Sequence, residues 1–237
     1  MSRILIVVAH RDDETLGAGG AISWHREKED EVQVISMTDG VSARKVGGSL
    51  EEKSNRTISS LRVAEFLDFS WRDSGNFPDN AMDTVPFLEV IRFIEKAKSE
   101  FKPEIVYTHF PFDLKIDHIL TAKAVFTAFR PEPGEACREL LSFEVPSSTD
   151  FGSFLGTEAF RPNYLVDLDR LLQKNLTPWL CMVQKFARLP MCVPSTRFAL
   201  WQCYEEVRSE FTQQKRFKSI GRWPANLSTF LVANSSS

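Results

Sequence analysis

The sequence predicts an α/β protein, a single Rossmann-like domain with a mostly parallel, doubly wound sheet and helices on both faces. Three observations carry that prediction. Short apolar runs alternate with longer stretches of helical periodicity through residues 1–130, the pattern of strand, crossover helix and parallel strand. Two of the runs, Ile4 to Ala9 and Ile105 to Thr108, are predominantly apolar, as strands buried on both faces are. Both runs end in a histidine, His10 and His109, so polar chemistry gathers at the strand ends where open α/β sheets build their sites.

The elements follow in order. A strand over residues 3–9 leads into a helix over 14–27, and Val32 to Met37 is a second strand closed by the turn Thr38-Asp39-Gly40. A loop around Gly47-Gly48 precedes a helix from Leu50 to Leu67, whose Ile58, Leu61, Ala64 and Phe66 are expected to cover the sheet. Residues 71–80 read as irregular and turn-rich. Met82 to Phe101 reads as one helix with the stripe Val85, Leu88, Ile91, Ile94 and Ala97, ended by Lys102-Pro103. After the strand at 105–108, a helix from Ile119 to Phe129 stops at Arg130-Pro131-Glu132-Pro133-Gly134. Beyond it, Leu140 to Val145 and Tyr164 to Leu168 read as strands, Leu171 to Leu189 as a helix, and Met191 to Arg222 as helical with aromatic and basic patches. The expected organisation is one domain over 1–233, with a Rossmann-like half at 1–135, a C-terminal elaboration at 136–233 that completes it, and a tail at 234–237.

Composition narrows the class. A chain of 237 residues suits one domain with a full core, and a net charge of -3 supplies no electrostatic reason to bind nucleic acid. The N-terminal apolar run is too short for a signal peptide or a membrane span, so no transmembrane segment and a cytoplasmic location are expected. Cys137, Cys181, Cys192 and Cys203 are widely spaced, which fits reduced thiols and argues against a cysteine zinc site.

The segment His10-Arg11-Asp12-Asp13-Glu14 delivers one imidazole and three carboxylates to the end of the first strand. If a helix starts near Asp12, His10 and Asp13 turn toward one point as a nitrogen and an oxygen ligand, while Asp12 stays beside them as an unliganded base. That is a hydrolytic zinc site lacking one ligand. Of the four histidines, His109 and His118 are candidates for the missing place, and His25, among Trp24, Arg26, Glu27 and Lys28, reads as a solvated surface residue. Plainer readings compete: hydrogen-bonded strand ends for His10, Asp13 and His118, an N-cap for Asp12, a backbone-bonded buried ring for His109, and turn chemistry for Asp39, Asp79 and Asp113. The glycines of Gly17-Ala18-Gly19-Gly20 come a helical turn too late for a dinucleotide fingerprint, and acidic residues fill the turn where phosphates would lie. They are better explained by close approach of helix to sheet.

Taken together, Ala9-His10-Arg11-Asp12-Asp13-Glu14 and Asp113-Leu114-Lys115-Ile116-Asp117-His118 resemble the two signature motifs of the PIG-L/LmbE-like zinc N-deacetylases. Thr38-Asp39-Gly40-Val41, the stretch Phe77 to Pro86, and Val106-Tyr107-Thr108-His109 resemble the branch of that family found among bacterial amino-sugar and surface-glycan genes. The resemblance implies that His10, Asp13 and His118 hold Zn²⁺ or another divalent transition metal such as Fe²⁺. It also implies that Asp12 is the general base, that Asp117 orients a histidine, and that the substrate is a small N-acetylated sugar or sugar-nucleotide that loses its acetyl group. Two departures stand out. Arg11 replaces the usual proline and places a cation beside the carboxylates or toward an anionic substrate, and Lys115 stands where many members carry a histidine that stabilises the oxyanion. The alternative expectation is a catalytically altered member that binds a sugar-nucleotide or glycan; a homo-oligomer is compatible with either.

Overall fold

The computed structural model describes residues 1–38, 40, 50–146, 148–152, 158–167 and 230–235. They form a seven-stranded sheet in the order β3-β2-β1-β4-β5-β7-β6. The strands are β1 (Arg3–Val8), β2 (Glu31–Thr38), β3 (Ser70–Phe77), β4 (Ile105–His109), β5 (Glu139–Phe143), β6 (Tyr164–Asp167) and β7 (Phe230–Ser235). The first five in chain order are parallel, and β7 runs antiparallel between β5 and β6. Asn234 and Ser235, expected in a tail, instead pair with Ser142 and Leu141. The helices expected at 171–189 and within 191–222 lie outside the described residues, as do Asp39 and three of the four cysteines; Cys137 is a free, half-buried thiol.

Helices α1 (Asp13–Glu27) and α2 (Leu50–Leu67) pack against each other, and so do α3 (Phe87–Phe101) and α4 (Ile116–Ala128). The chain winds outward through β2 and β3, then returns to the other side of β1 for β4, which puts the two helix pairs on opposite faces. Side-chain alternation along β1 serves both. Leu5 and Val7 join Ile35, Met37 and Val106 in a core with Val90, Ile94, Ala97, Val125 and Phe129, while the other parity, Ile4, Ile6 and Val8, is buried on the α1 side. Gly17 permits α1 to lie close: a Cβ there would stand 2.3 Å from the Phe143 ring and 2.8 Å from Glu144 O. Among the described residues no helix is long and apolar enough to cross a membrane.

Four expectations need correction. The turn-rich segment at 71–80 contains the edge strand β3, whose polar sequence and register shifts against β2 hide the usual alternation. The long helix at 82–101 is broken: Met82–Thr84 is a 3-10 turn, Val85 is extended because Pro86 follows it, and α3 begins at Phe87. On α2 the buried stripe is Ser60, Val63, Ala64 and Leu67, whereas Ile58, Leu61 and Phe66 face outward. Finally, α4 starts at Ile116 rather than Ile119, which places Asp117 and His118 in its first turn.

Candidate metal centre

The site forms where the strand order reverses between β1 and β4. Thr38 fixes the end of β1 by donating its N–H and its Oγ1 hydrogen to Ala9 O, each at 2.9 Å. His10 then turns sharply: its carbonyl accepts from the N–H of Asp12 at 3.1 Å, and its own N–H donates to Asp13 Oδ2 at 2.9 Å. Asp12 occupies the N-cap position of α1, yet its side chain makes no capping bond, so the cap reading does not account for it.

Three atoms that could ligate a metal converge. His10 Nδ1 lies 3.2 Å from Asp13 Oδ2, His118 Nε2 lies 3.3 Å from the same oxygen, and the two nitrogens are 3.3 Å apart. Ligands of a tetrahedral ion bound at about 2.0–2.1 Å stand ~3.3–3.4 Å from one another, so this buried triangle has the dimensions of one coordination face. All three residues are buried, and His10, Asp13 and His118 are within metal-holding distance as a group.

His109 also brings its Nε2 within 3.4 Å of Asp13 Oδ2, but the lone pair is directed elsewhere. Its Nε2 accepts the Ala9 N–H at 2.8 Å, which uses the lone pair, and its ring stacks on His118 with centroids 3.9 Å apart. Burial, and then the charge of His118, push its pKa well below the ordinary imidazole value. It is a neutral wall of the site that carries the backbone bond expected of a buried ring.

Behind each proposed histidine ligand stands a carboxylate. Asp117 Oδ2 is 3.1 Å from His10 Nε2 and accepts from Asn80 N at 2.7 Å, while Oδ1 accepts from Met82 N at 3.2 Å. Asp79 Oδ1 is also 3.1 Å from His10 Nε2. On the other side, Asp113 Oδ1 is 3.3 Å from His118 Nδ1, and Asp113 Oδ2 accepts from Ser148 Oγ at 3.0 Å and Thr149 Oγ1 at 2.7 Å. Such outer carboxylates hold a ligating ring in one tautomer and orientation. Asp79 and Asp113 were indistinguishable from turn residues in the sequence, and nothing there pointed to Ser148 or Thr149, which arrive from the segment after β5.

Electrostatics agree with the geometry. Burial opposes charge on His10 and His118, but Asp117, Asp13 and Asp79 around the first and Asp13 and Asp113 around the second raise both pKa values. Burial likewise opposes the Asp113 carboxylate, yet His118 and the donors around it hold its pKa down at about 2. The cluster therefore demands positive charge, which a divalent cation supplies once the rings release their protons. Glu14 lies next to this cluster; burial foremost, reinforced by Asp12 and Asp13, pushes its pKa up to about 8.

The two departures from the family pattern take different positions. Arg11 does not sit among the carboxylates: its guanidinium lies over the Trp71 ring, 4.7 Å from the centroid, and Nη1 donates to Ser60 Oγ at 3.2 Å. Lys115 holds the N-cap position of α4, half-buried, with its backbone N–H on Asp113 Oδ1 at 2.9 Å. His25 overturns the expectation of a solvated ring. It is 1% exposed at the opposite edge of the sheet, with Nδ1 2.9 Å from Asp30 Oδ2 and Nε2 3.0 Å from Tyr107 OH.

Solved structures share this fold. The 4-carboxy-2-hydroxymuconate hydratase GalB of Pseudomonas putida KT2440 aligns with a TM-score of 0.67 and 19% identity over 99% of this chain and 96% of its own. The N,N'-diacetylchitobiose deacetylase of Pyrococcus horikoshii aligns with a TM-score of 0.65 and 17% identity over 99% of this chain and 84% of its own. A deacetylase of teicoplanin biosynthesis, complexed with teicoplanin, aligns with a TM-score of 0.61 and 14% identity over 80% and 88%. No curated protein matches the chain by sequence. The family model described as PIG-L, GlcNAc-PI de-N-acetylase, matches residues 5–129, a span that runs from β1 past the last helix of the site, and the chain belongs to that family.

Proposed function

We propose that this chain is a metal-dependent hydrolase that removes the acetyl group from an N-acetylated amino sugar or glycoconjugate. The observation that carries the proposal is the 3.2–3.3 Å triangle of His10 Nδ1, Asp13 Oδ2 and His118 Nε2. Three protein ligands with a fourth position left for water or substrate is the composition of a catalytic zinc site. His10, Asp13 and His118 would hold Zn²⁺ or another divalent transition metal such as Fe²⁺. When bound, that ion supplies a Lewis acid and brings the pKa of a water molecule down to about 7.

The chain's own groups do the rest. Asp12 takes the proton of the attacking water and returns it to the departing amine, so that water and amide become acetate and free amine. Asp117 holds His10 by its outer nitrogen, and Asp113 does the same for His118. Lys115, at the start of α4, supplies positive charge toward the oxyanion that develops on the acetamide oxygen.

A fold shared by a hydratase and deacetylases does not choose the reaction, so the assignment rests on the site. The test is acetate release from a panel of N-acetylated sugars, lipid-linked sugars and sugar-nucleotides by protein loaded with Zn²⁺ or Fe²⁺. Turnover of at least one, abolished by a chelator and restored by metal, is expected. Fully metallated protein that releases acetate from none, and that gains activity in Lys115→His, would favour the binding-protein alternative.

A further inference from the structure

We propose that Arg11, with Ser60 and Trp71, forms a subsite for an anionic group, a phosphate or a carboxylate, carried by the molecule that the metal centre acts on. The inference rests on the reading of that centre as a site for a sugar substrate and narrows the substrate's class.

The first observation is a charge without a counter-charge. Of the other half-buried arginines among the described residues, Arg26 and Arg72 meet the carboxylates of Asp68 and Glu100, and Arg3 donates to the Lys102 carbonyl. Arg11 is half-buried, yet its partners are neutral: Ser60 Oγ at 3.2 Å, Ser36 Oγ at a long 3.5 Å, and the Trp71 ring. Among the described residues no carboxylate lies within 4 Å of it, and the charge of Glu14 reaches it only from beyond that distance. A guanidinium withdrawn from water toward hydroxyls and an indole loses solvation without gaining a carboxylate in contact, and an incoming anion would restore the balance through charge-assisted hydrogen bonding.

The second observation is that the group is held in place. Trp71 Nε1–H donates to Ser60 O at 3.1 Å, so the ring under the guanidinium and the serine beside it are tied together. Ser60 Oγ in turn donates to Thr57 O at 2.9 Å, which leaves its lone pairs to accept from Arg11. Among the described residues, Nε and Nη1 are the guanidinium nitrogens engaged by protein atoms, which leaves Nη2 to a ligand. The third observation is position. Arg11 stands in the chain between the proposed ligand His10 and the proposed base Asp12, and its side chain runs toward β2, β3 and α2, away from His118 on α4. An anion bound there belongs to a part of the substrate remote from the amide that is cut, where it contributes binding and selectivity without entering the chemistry.

The experiment measures binding by calorimetry, with no turnover required. The probes are N-acetylglucosamine, N-acetylglucosamine 6-phosphate, UDP-N-acetylglucosamine and N-acetylmuramic acid, on metal-loaded wild type, Arg11→Lys and Arg11→Gln. At least one anionic probe should bind about tenfold or more tighter than the neutral sugar. Arg11→Gln should remove that advantage and leave the neutral sugar unchanged, and Arg11→Lys should keep part of it; the phosphate and carboxylate arms identify the anion. Equal affinity for neutral and anionic sugars, no binding by any anionic probe, or an anion preference that survives in folded Arg11→Gln would overturn the subsite. Anion-selective binding without acetate release would instead overturn the deacetylase reading and leave the subsite standing.

Discussion

Two edges of one sheet carry buried histidines beside carboxylates, and they behave in opposite ways. At the edge away from the metal centre, His25 is saturated: one nitrogen meets Asp30, the other Tyr107, and its lone pair and proton are both consumed. At the C-terminal edge, His10 and His118 spend only their outer nitrogens on Asp117, Asp79 and Asp113, and their inner nitrogens converge with Asp13 Oδ2 on one point. Burial of a histidine is therefore uninformative. What distinguishes a candidate site is that lone pairs from a strand end and from the first turns of two helices meet without consuming one another.

The sharpest way to break this comparison is at the convergence point. Purified wild type should carry about one transition-metal ion per chain, and His118→Ala should drop to roughly a tenth of that, because two remaining ligands hold such ions weakly. Metal analysis of a His10→Ala/His118→Ala double variant that still showed one ion per chain would refute the assignment. Asp12→Asn tests chemistry apart from binding: kcat should fall by ~10²-fold or more, with metal content and melting temperature unchanged. A variant turning over at the wild-type rate would remove Asp12 from the mechanism.

Smaller effects sharpen the contrast between the two edges. Asp113→Asn and Asp117→Asn should each weaken metal affinity by about 10–100-fold, measured by competition with a chelating dye, whereas Asp30→Asn should not change it. His25→Phe strands Asp30 and Tyr107 and should cost about 1–3 kcal/mol in denaturant unfolding, with metal content and kcat intact. The same edge should show in pH. Burial holds the pKa of His25 below its unfolded value of 6.5, Asp30 notwithstanding. The stability it contributes is thus present above about pH 6.5 and is lost as pH falls below that, when unfolding lets the ring take up a proton. Below pH 6.5 the stability of His25→Phe should fall less steeply, or rise more steeply, with falling pH than that of wild type; an unchanged slope would mean that His25 does not titrate differently on unfolding.

Much of the fold was legible because buried parallel strands announce themselves as apolar runs and their crossovers as amphipathic helices; β1, β2 and β4 follow the first rule and the body of α3 the second. The elements that were misread lack such a signal. Edge strand β3 is polar, and the start of α3 depends on how Pro86 constrains Val85. His25 looked solvated because its neighbours in sequence are charged, whereas its neighbours in space are Asp30, Tyr107 and Trp24.

By itself the sequence determined the α/β class, the clustering of His10, Asp12 and Asp13 at one strand end, and, through the paired motifs, the candidacy of His118. Local order along the chain is enough for this, since a turn between strand and helix brings residues three apart together. Only the tertiary structure turned the His109 lone pair onto the Ala9 N–H and brought His118 Nε2 to His10 and Asp13, set Asp117 against His10 and Asp113 against His118, and turned Arg11 away from the carboxylates onto Trp71. The contacts of His109 with Ala9 and of His10 with Asp117 and His118 join residues about a hundred positions apart in the chain, and such distances exist only once the parallel pairing of β1 with β4 has set the register of the two strand ends.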